Sequence, residues 1–328
     1  MRHPPHLLLC SALALCTGSR AFASASWGAA GRRLGARALH AAGVDGGIRG
    51  GAGGEKEPLQ LLLVRHGESE ANKARIFVSW IDSPLTARGR KEASLSGEAL
   101  KAAGLCADSV FTSMLARAET TAQLMVEACG QDQVEETKRD WRLNERMVGC
   151  LVGLTMEEAL ERFGNDSVRL WRTSVDVRPD PIDEASENFP GNDPTYSFLP
   201  RDALPRTECL EDVRKRVAAC WDEEVVPELR AGRRVAVVAH ENSLRALMLH
   251  IDSGIPRDQI LRFEVPRATP ILYTLDPDTL APLAPASPPF LPLTACLIGA
   301  APAPGSDDSG AAVGKLRPSM DFEEGFRA

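Results

Sequence analysis

Two apolar runs of strand length, far apart in the chain, each end on a histidine: Leu59–Val64 runs into Arg65-His66-Gly67, and Val235–Ala239 runs into His240-Glu241-Asn242-Ser243. In open α/β sheets ligands bind at the carboxyl ends of strands, where the departing loops converge with free backbone N–H groups. Two histidines at two such ends therefore constrain the fold and the site together. Gly67 suits a tight turn that lets the backbone approach a bound group. An arginine beside a histidine suits an anionic ligand. A neutral imidazole is a nucleophile at physiological pH, and its phosphorylated form is a reactive phosphoryl donor. An isolated histidine of this kind would ordinarily just end a strand at the surface; the pair makes a constellation.

The intervening chain reads as alternating helices and strands. Asp82–Thr86 forms a turn into a helix capped by Thr86 and running to about Ala103. Ser109–Thr112 is a short strand, and the helix after it presents Arg117 in its first turns, where a helix N-terminus favours anions. A helix is expected from about Thr155 to Phe163, followed by Trp171-Arg172 and a loop over Pro190–Tyr196. Thr207 and Glu208 open a long helix with Leu210, Val213, Val217 and Cys220/Trp221 at helical spacing, frayed at Pro227 and stopped at Gly232. Asn242-Ser243 begins another helix, and Ile271–Leu275 is a final strand.

The 328 residues, 44% of them apolar, suffice for a full core. Residues 1–54 hold six Arg and one Asp, a net +5, which leaves −12 for the remainder of the −7 total. That acidity argues against nucleic acid as a general partner, and a phosphate ligand then needs cations concentrated locally. The eight Cys show neither zinc-like pairs nor a dense disulfide pattern and are read as free thiols. Arg2 and His3 precede apolar Leu7–Leu15, too short to span a bilayer but suited to a signal-peptide core, with small residues near Gly18–Ala21 for cleavage. Ala21–Gly54, rich in Ala, Gly and Arg, reads as a transit segment. With Phe22 at the junction, the two resemble the bipartite leader of proteins imported into plastids of secondary origin; mitochondrial import or secretion is the alternative. The expected division is a targeting leader over 1–54, a catalytic domain over 55–280 and a mobile tail over 281–328, where eight Pro accompany many Ala and Gly. Within that tail Leu293–Ile298 has the character of an edge strand. No internal repeat and no membrane span of a mature protein is read.

Glu68-Ser69-Glu70-Ala71-Asn72 follows the first histidine; Ser113–Thr120, Trp141–Arg146 and Pro190–Tyr196 then precede the second. With these motifs in this order, the stretch from about Leu59 to Asp276 resembles the histidine phosphatase superfamily and, within it, the 2,3-bisphosphoglycerate-dependent phosphoglycerate mutases. The resemblance implies an α/β fold, a mostly parallel sheet with helices on both faces. It also implies interconversion of 3- and 2-phosphoglycerate, primed by 2,3-bisphosphoglycerate and needing no metal. His66 would be the nucleophile. Arg65, Arg117 and a protonated His240 would surround the transferred phosphoryl group, and Glu145 would give and take the proton. Asn72, Ser79, Arg146, Arg172 and Asn242 would bind substrate. The partner implied is a small phosphorylated molecule, with a homodimer left open. Thr155–Pro205 looks like the insertion that separates mutases from their smaller relatives.

The chain also departs from the mutase pattern. Val148 stands where a Tyr is usual, Met156 where a substrate-binding Lys is expected, and Arg172-Thr173 where the family has an Arg pair. Val78 and Ser79 replace a small polar residue and a Gly, and the second histidine is followed by Glu241 rather than Gly. Each lost charge-assisted contact costs roughly 1.5–3 kcal/mol. These losses favour a phosphatase acting on another phosphomonoester as the alternative to the mutase; a non-catalytic relative that only binds phosphometabolites is a third class, against which the survival of all five central residues speaks. Glu241 has three expected placements: toward the phosphoryl group, which it would repel; outward; or toward His240, where it would favour the imidazolium.

Overall fold

A computed structural model describes residues 56–130 and 137–283; the leader over 1–54, the Leu293–Ile298 stretch and the chain beyond residue 283 lie outside the described residues. The elements in order are β1 (Leu59–Arg65), α1 (Glu70–Ala74), α2 (Ala87–Ala103), β2 (Ser109–Thr112), α3 (Ala116–Cys129), β3 (Lys138–Arg139), α4 (Met156–Thr173), α5 (Leu210–Cys220), α6 (Val226–Arg230), β4 (Val235–Ala239), α7 (Glu241–Ile251) and β5 (Ile271–Leu275). The strands form one sheet in the order β3-β2-β4-β1-β5, with every pairing parallel except that of β5.

Strand β1 is apolar without alternation because both of its faces are covered. Leu61 and Leu63 pack with Val235 and Val237 under α5, α6 and α7, while Leu62 and Val64 pack with Ala236 and Val238 against Leu100 of α2 and Ala122 and Met125 of α3. The expected architecture, a mostly parallel sheet between two helical layers, is the one observed.

Register is what brings the two histidines together. Leu61 pairs with Val235 and Arg65 with Ala239, so both strands end at the same level and the next residues, His66 and His240, become neighbours. The His66 N–H donates to Ala239 O at 3.0 Å. Strand β2 pairs with β4 through Thr112 and Val238, which carries Ser113 to the same edge.

Four expected boundaries shift. The helix beginning near Thr155 does not stop at Phe163; it breaks stride at Gly164 (φ 76°, ψ 159°) and resumes to Thr173. Thr207 and Glu208 do not open α5, which starts at Leu210 after Cys209: the Thr207 hydroxyl donates to Pro179 O, and Glu208 pairs with Arg216. Nor does Pro227 fray the helix. A π-helical turn over Trp221–Val225 resets the register, so Pro227 falls in the first turn of α6, where its missing N–H costs nothing. Helix α7 begins one residue earlier than expected, at Glu241, with His240 as its N-cap. At the far end Pro282 bridges to Leu275, and the Leu283 N–H donates to Thr274 O, so the described chain ends folded against β5.

Candidate active site

The strand ends open into a cavity of about 220 Å³ lined by Arg65, His66, Asn72, Ser79, Arg117, Glu145, Arg146, Arg172, Glu241, Asn242 and Arg245, and by Ile76, Phe77, Val78, Val148, Leu151 and Leu261. Five arginines against two carboxylates leave a formal excess of three positive charges. In an otherwise acidic protein that local excess marks an anion site.

His66 has a defined tautomer. Its Nδ1 lies 2.7 Å from Gly67 O, and a carbonyl only accepts, so Nδ1 carries the proton and Nε2 keeps its lone pair. Burial first, then Arg117 and Arg65, hold the imidazole well below its ordinary pKa, so it is neutral at physiological pH. The turn that presents it depends on Gly67: a Cβ there would lie 2.3 Å from Gly89 O, because β1's loop and α2 touch backbone to backbone.

Arg117 reaches the cavity from the first turn of α3 and is only 2% exposed. Its Nη1 and Nη2 donate to Ile81 O at 3.0 Å and Ser79 O at 2.8 Å, which fixes the guanidinium plane. Burial lowers its pKa to about 10, which leaves it charged. Arg65 Nη1 donates to Val265 O at 3.0 Å. Arg65 Nε and Arg146 Nε are buried without a hydrogen-bond partner among the described residues, donors of the kind an anion would satisfy.

Glu145 sits on a segment with almost no regular structure, yet its backbone is tightly held. Arg216 donates to Arg142 O, Asn144 O and Glu145 O at 2.7 to 3.0 Å while pairing with buried Glu208. Glu208 in turn accepts from Met147 N–H at 2.8 Å. Trp80 Nε1 donates to Glu145 O at 2.7 Å, and Ser243 Oγ to Asn144 O at 2.7 Å. Asn144 itself donates to the Tyr196 hydroxyl, which places the Pro190–Tyr196 loop beneath the site.

Several expected placements are corrected. His240 does not line the cavity: it is fully buried, its ring centroid 5.0 Å from that of His66, with Nε2 against Ser113 Oγ at 2.8 Å. Burial, Arg117 and His66 push its pKa well below the ordinary value, so in this structure it is a neutral imidazole, not the expected imidazolium. Ser79 lines the cavity but its hydroxyl is already engaged, donating to Arg146 O and accepting from Val148 N–H, each at 2.9 Å. It therefore supports the wall, and its hydroxyl proton is not free for a substrate oxygen. Asn72 uses Oδ1 in the cap of α1, accepting from Ser69 N–H, so what it offers a ligand is its amide NH₂. Arg146, Arg172 and Asn242 line the cavity as expected, whereas Met156 and Thr173 do not; Thr173 Oγ1 donates back to Arg169 O. Of the three placements weighed for Glu241, neither outward nor toward His240 is found: it faces the cavity, and its charge is shared with two arginines. It bridges Arg245 (2.6 Å) and Arg65 (3.1 Å).

Three contributors were missed from sequence: Arg245, Ser113 and the Glu208–Arg216 pair. Arg245 had a readable signal, its i,i+4 spacing from Glu241 on α7. Ser113 had one in its strand-end position. Glu208 and Arg216 had none, because an acid and a base on one amphipathic helix ordinarily mark its solvated face. Among the described residues no group of three or more His, Cys, Asp or Glu is arranged to hold a metal ion.

A family model described as the histidine phosphatase superfamily, branch 1, matches residues 61–283. A 2,3-bisphosphoglycerate-dependent phosphoglycerate mutase of Streptomyces avermitilis is 44% identical over 221 residues, covering 67% of this chain and 87% of that protein. One from Leifsonia xyli is 43% identical over 241 residues, covering 74% of this chain and 94% of that protein. Among solved structures, Bacillus stearothermophilus YhfR matches the fold with a TM-score of 0.53 at 23% identity, over 69% of this chain and 95% of that chain.

Proposed function

The chain belongs to the histidine phosphatase superfamily, branch 1, and on that premise we propose that it is a 2,3-bisphosphoglycerate-dependent phosphoglycerate mutase working through a phosphohistidine at His66. The observation that carries this reading is the tautomer of His66: with Nδ1–H held by Gly67 O, the Nε2 lone pair belongs to a cavity residue surrounded by fixed cations. Nε2 attacks phosphorus, the bond from phosphorus to the ester oxygen breaks, and Glu145 delivers a proton to that oxygen. In the return step a substrate hydroxyl attacks the phosphohistidine, the P–N bond breaks, and Glu145 takes the hydroxyl proton. Arg65, Arg117, Arg146 and Arg172 offset charge on the phosphoryl oxygens, work that fixed dipoles and cations perform without reorganising. The same residues suit a bisphosphate primer.

A phosphatase is the second reading, favoured by the apolar wall of Ile76, Phe77, Val78 and Val148, which offers a substrate no hydrogen bonds from its side chains. One assay separates the two. The protein is incubated with 3-phosphoglycerate, with and without 2,3-bisphosphoglycerate, and both isomerisation and phosphate release are followed. Isomerisation that depends on the bisphosphate supports the mutase; phosphate release without isomerisation replaces it. From residues 1–54 alone we propose plastid import, which a fusion of that segment to a fluorescent protein tests; accumulation of the fusion in mitochondria or the medium would reject it.

A further inference from the structure

Glu241 is an acid placed among the cations of an anion site. Its Oε1 lies 2.6 Å from Arg245 Nη2 and its Oε2 lies 3.1 Å from Arg65 Nη1, so the two oxygens are divided between two arginines of the cavity. Burial opposes its charge, but Arg245, Arg65 and Arg172 outweigh burial and hold the carboxyl below the ordinary value, so it stays ionised. Arg245 is further anchored by donating from Nε and Nη2 to Phe263 O, and Arg65 by Val265 O. Glu241 therefore occupies the position of a ligand anion between two arginines already fixed from behind.

We propose that Glu241 is the residue that sets how strongly this site discriminates by ligand charge, acting as a built-in counter-anion that narrows the advantage of doubly over singly phosphorylated ligands. The inference rests on the mutase reading for its natural ligands but not for its test. Counted by formal charge, five arginines against the two cavity carboxylates leave an excess of three. At about −1.5 to −2 per phosphate, a monophosphoglycerate with its carboxylate carries roughly −3 and the bisphosphate roughly −5. The Glu241 carboxylate opposes both, and the bisphosphate more strongly because it carries more charge. Neutralising Glu241 adds one positive charge, and the gain in attraction scales with the charge of the ligand. The bisphosphate then gains more than the monophosphate.

The test uses inorganic orthophosphate and pyrophosphate as probes, with binding to the full chain measured by calorimetry at low salt. It is independent of whether the protein isomerises phosphoglycerate, which the assay above decides separately. Glu241→Gln should tighten pyrophosphate about tenfold more than orthophosphate, whereas Glu241→Asp, which keeps the charge, should hold the wild-type ratio. In the double variant Glu241→Gln with Arg245→Gln the formal excess returns to three, and the ratio should return with it. An unchanged ratio in Glu241→Gln, or weaker binding of both probes, would mean that the carboxylate only props up its arginines, and would overturn the proposal. Should Glu241→Gln fail to fold, the same comparison is made on the Arg245→Gln background: adding Glu241→Gln there raises the formal excess from two to three and should tighten pyrophosphate about tenfold more than orthophosphate, and an unchanged ratio would overturn the proposal.

Discussion

Ser79 and His66 show how single residues carry the site. Ser79 has φ 44°, in the left-handed region that the Gly of the mutase pattern would adopt freely. Its hydroxyl compensates by joining Arg146 O to Val148 N–H. Ser79→Gly loses two hydrogen bonds but relieves the strained backbone, and should cost less than about 1 kcal/mol. Ser79→Ala keeps the strain and loses both bonds, so chemical denaturation should show a loss of about 1–3 kcal/mol; an Ala variant as stable as the Gly variant would contradict this. For His66 the sign of the pH effect follows from its depressed pKa. Attack needs the neutral ring, and protonation is delayed below the ordinary value of 6.5. The acid limb of kcat/KM, which reports the free enzyme, should therefore lie below pH 6.5. A limb at or above 6.5 would mean that His66 is not buried among cations as the structure has it. Of these residues His66, Arg65 and Arg117 were legible as motifs, whereas the engaged hydroxyl of Ser79 was not, because the partners of a hydroxyl are decided by tertiary contacts.

At the scale of elements, sequence reading works where periodicity and caps act locally and fails where a distant side chain decides. Strands β2, β4 and β5 and helix α2 with its Thr86 cap fall at the expected residues. The π turn before Pro227 was not legible, since nothing local distinguishes a proline that ends a helix from one in the first turn of the next. The segment carrying Glu145 is the clearest case: its carbonyls are collected by Arg216, 71 to 74 residues away. Removing one partner of a buried ion pair strands the other, at a cost of about 3–5 kcal/mol. Arg216→Met should therefore lower stability by about that amount. Arg216→Lys retains the charge but cannot reach several carbonyls at once, so it should fold and lose kcat by ten- to a hundredfold with little change in KM. A Lys variant with wild-type kcat would show that the position of Glu145 does not depend on this residue.

For the whole molecule, the parallel sheet was legible because its strands end on chemistry, and the register of β1 on β4 was not, although it is what turns two sequence motifs into one site. The same burial that sets His66 has a global consequence. His66, His240 and His250 all have depressed pKa values, so below pH 6.5 the unfolded chain binds protons that the folded chain refuses. Stability must then fall as pH drops from about 6.5 toward 5, by up to about 1.4 kcal/mol per pH unit for each fully buried histidine. Thermal midpoints at pH 7.0 and 5.5 should differ accordingly, and the difference should shrink in His240→Gln; a pH-independent midpoint would contradict the neutral, buried state of both site histidines. The central claim, a phosphohistidine at His66, is tested most directly by intact-mass spectrometry after brief incubation with 2,3-bisphosphoglycerate. The wild-type protein should gain one phosphoryl group that is lost on mild acid treatment, and His66→Gln should gain none. Equal labelling of the His66→Gln variant, or an acid-stable adduct on the wild type, would contradict it.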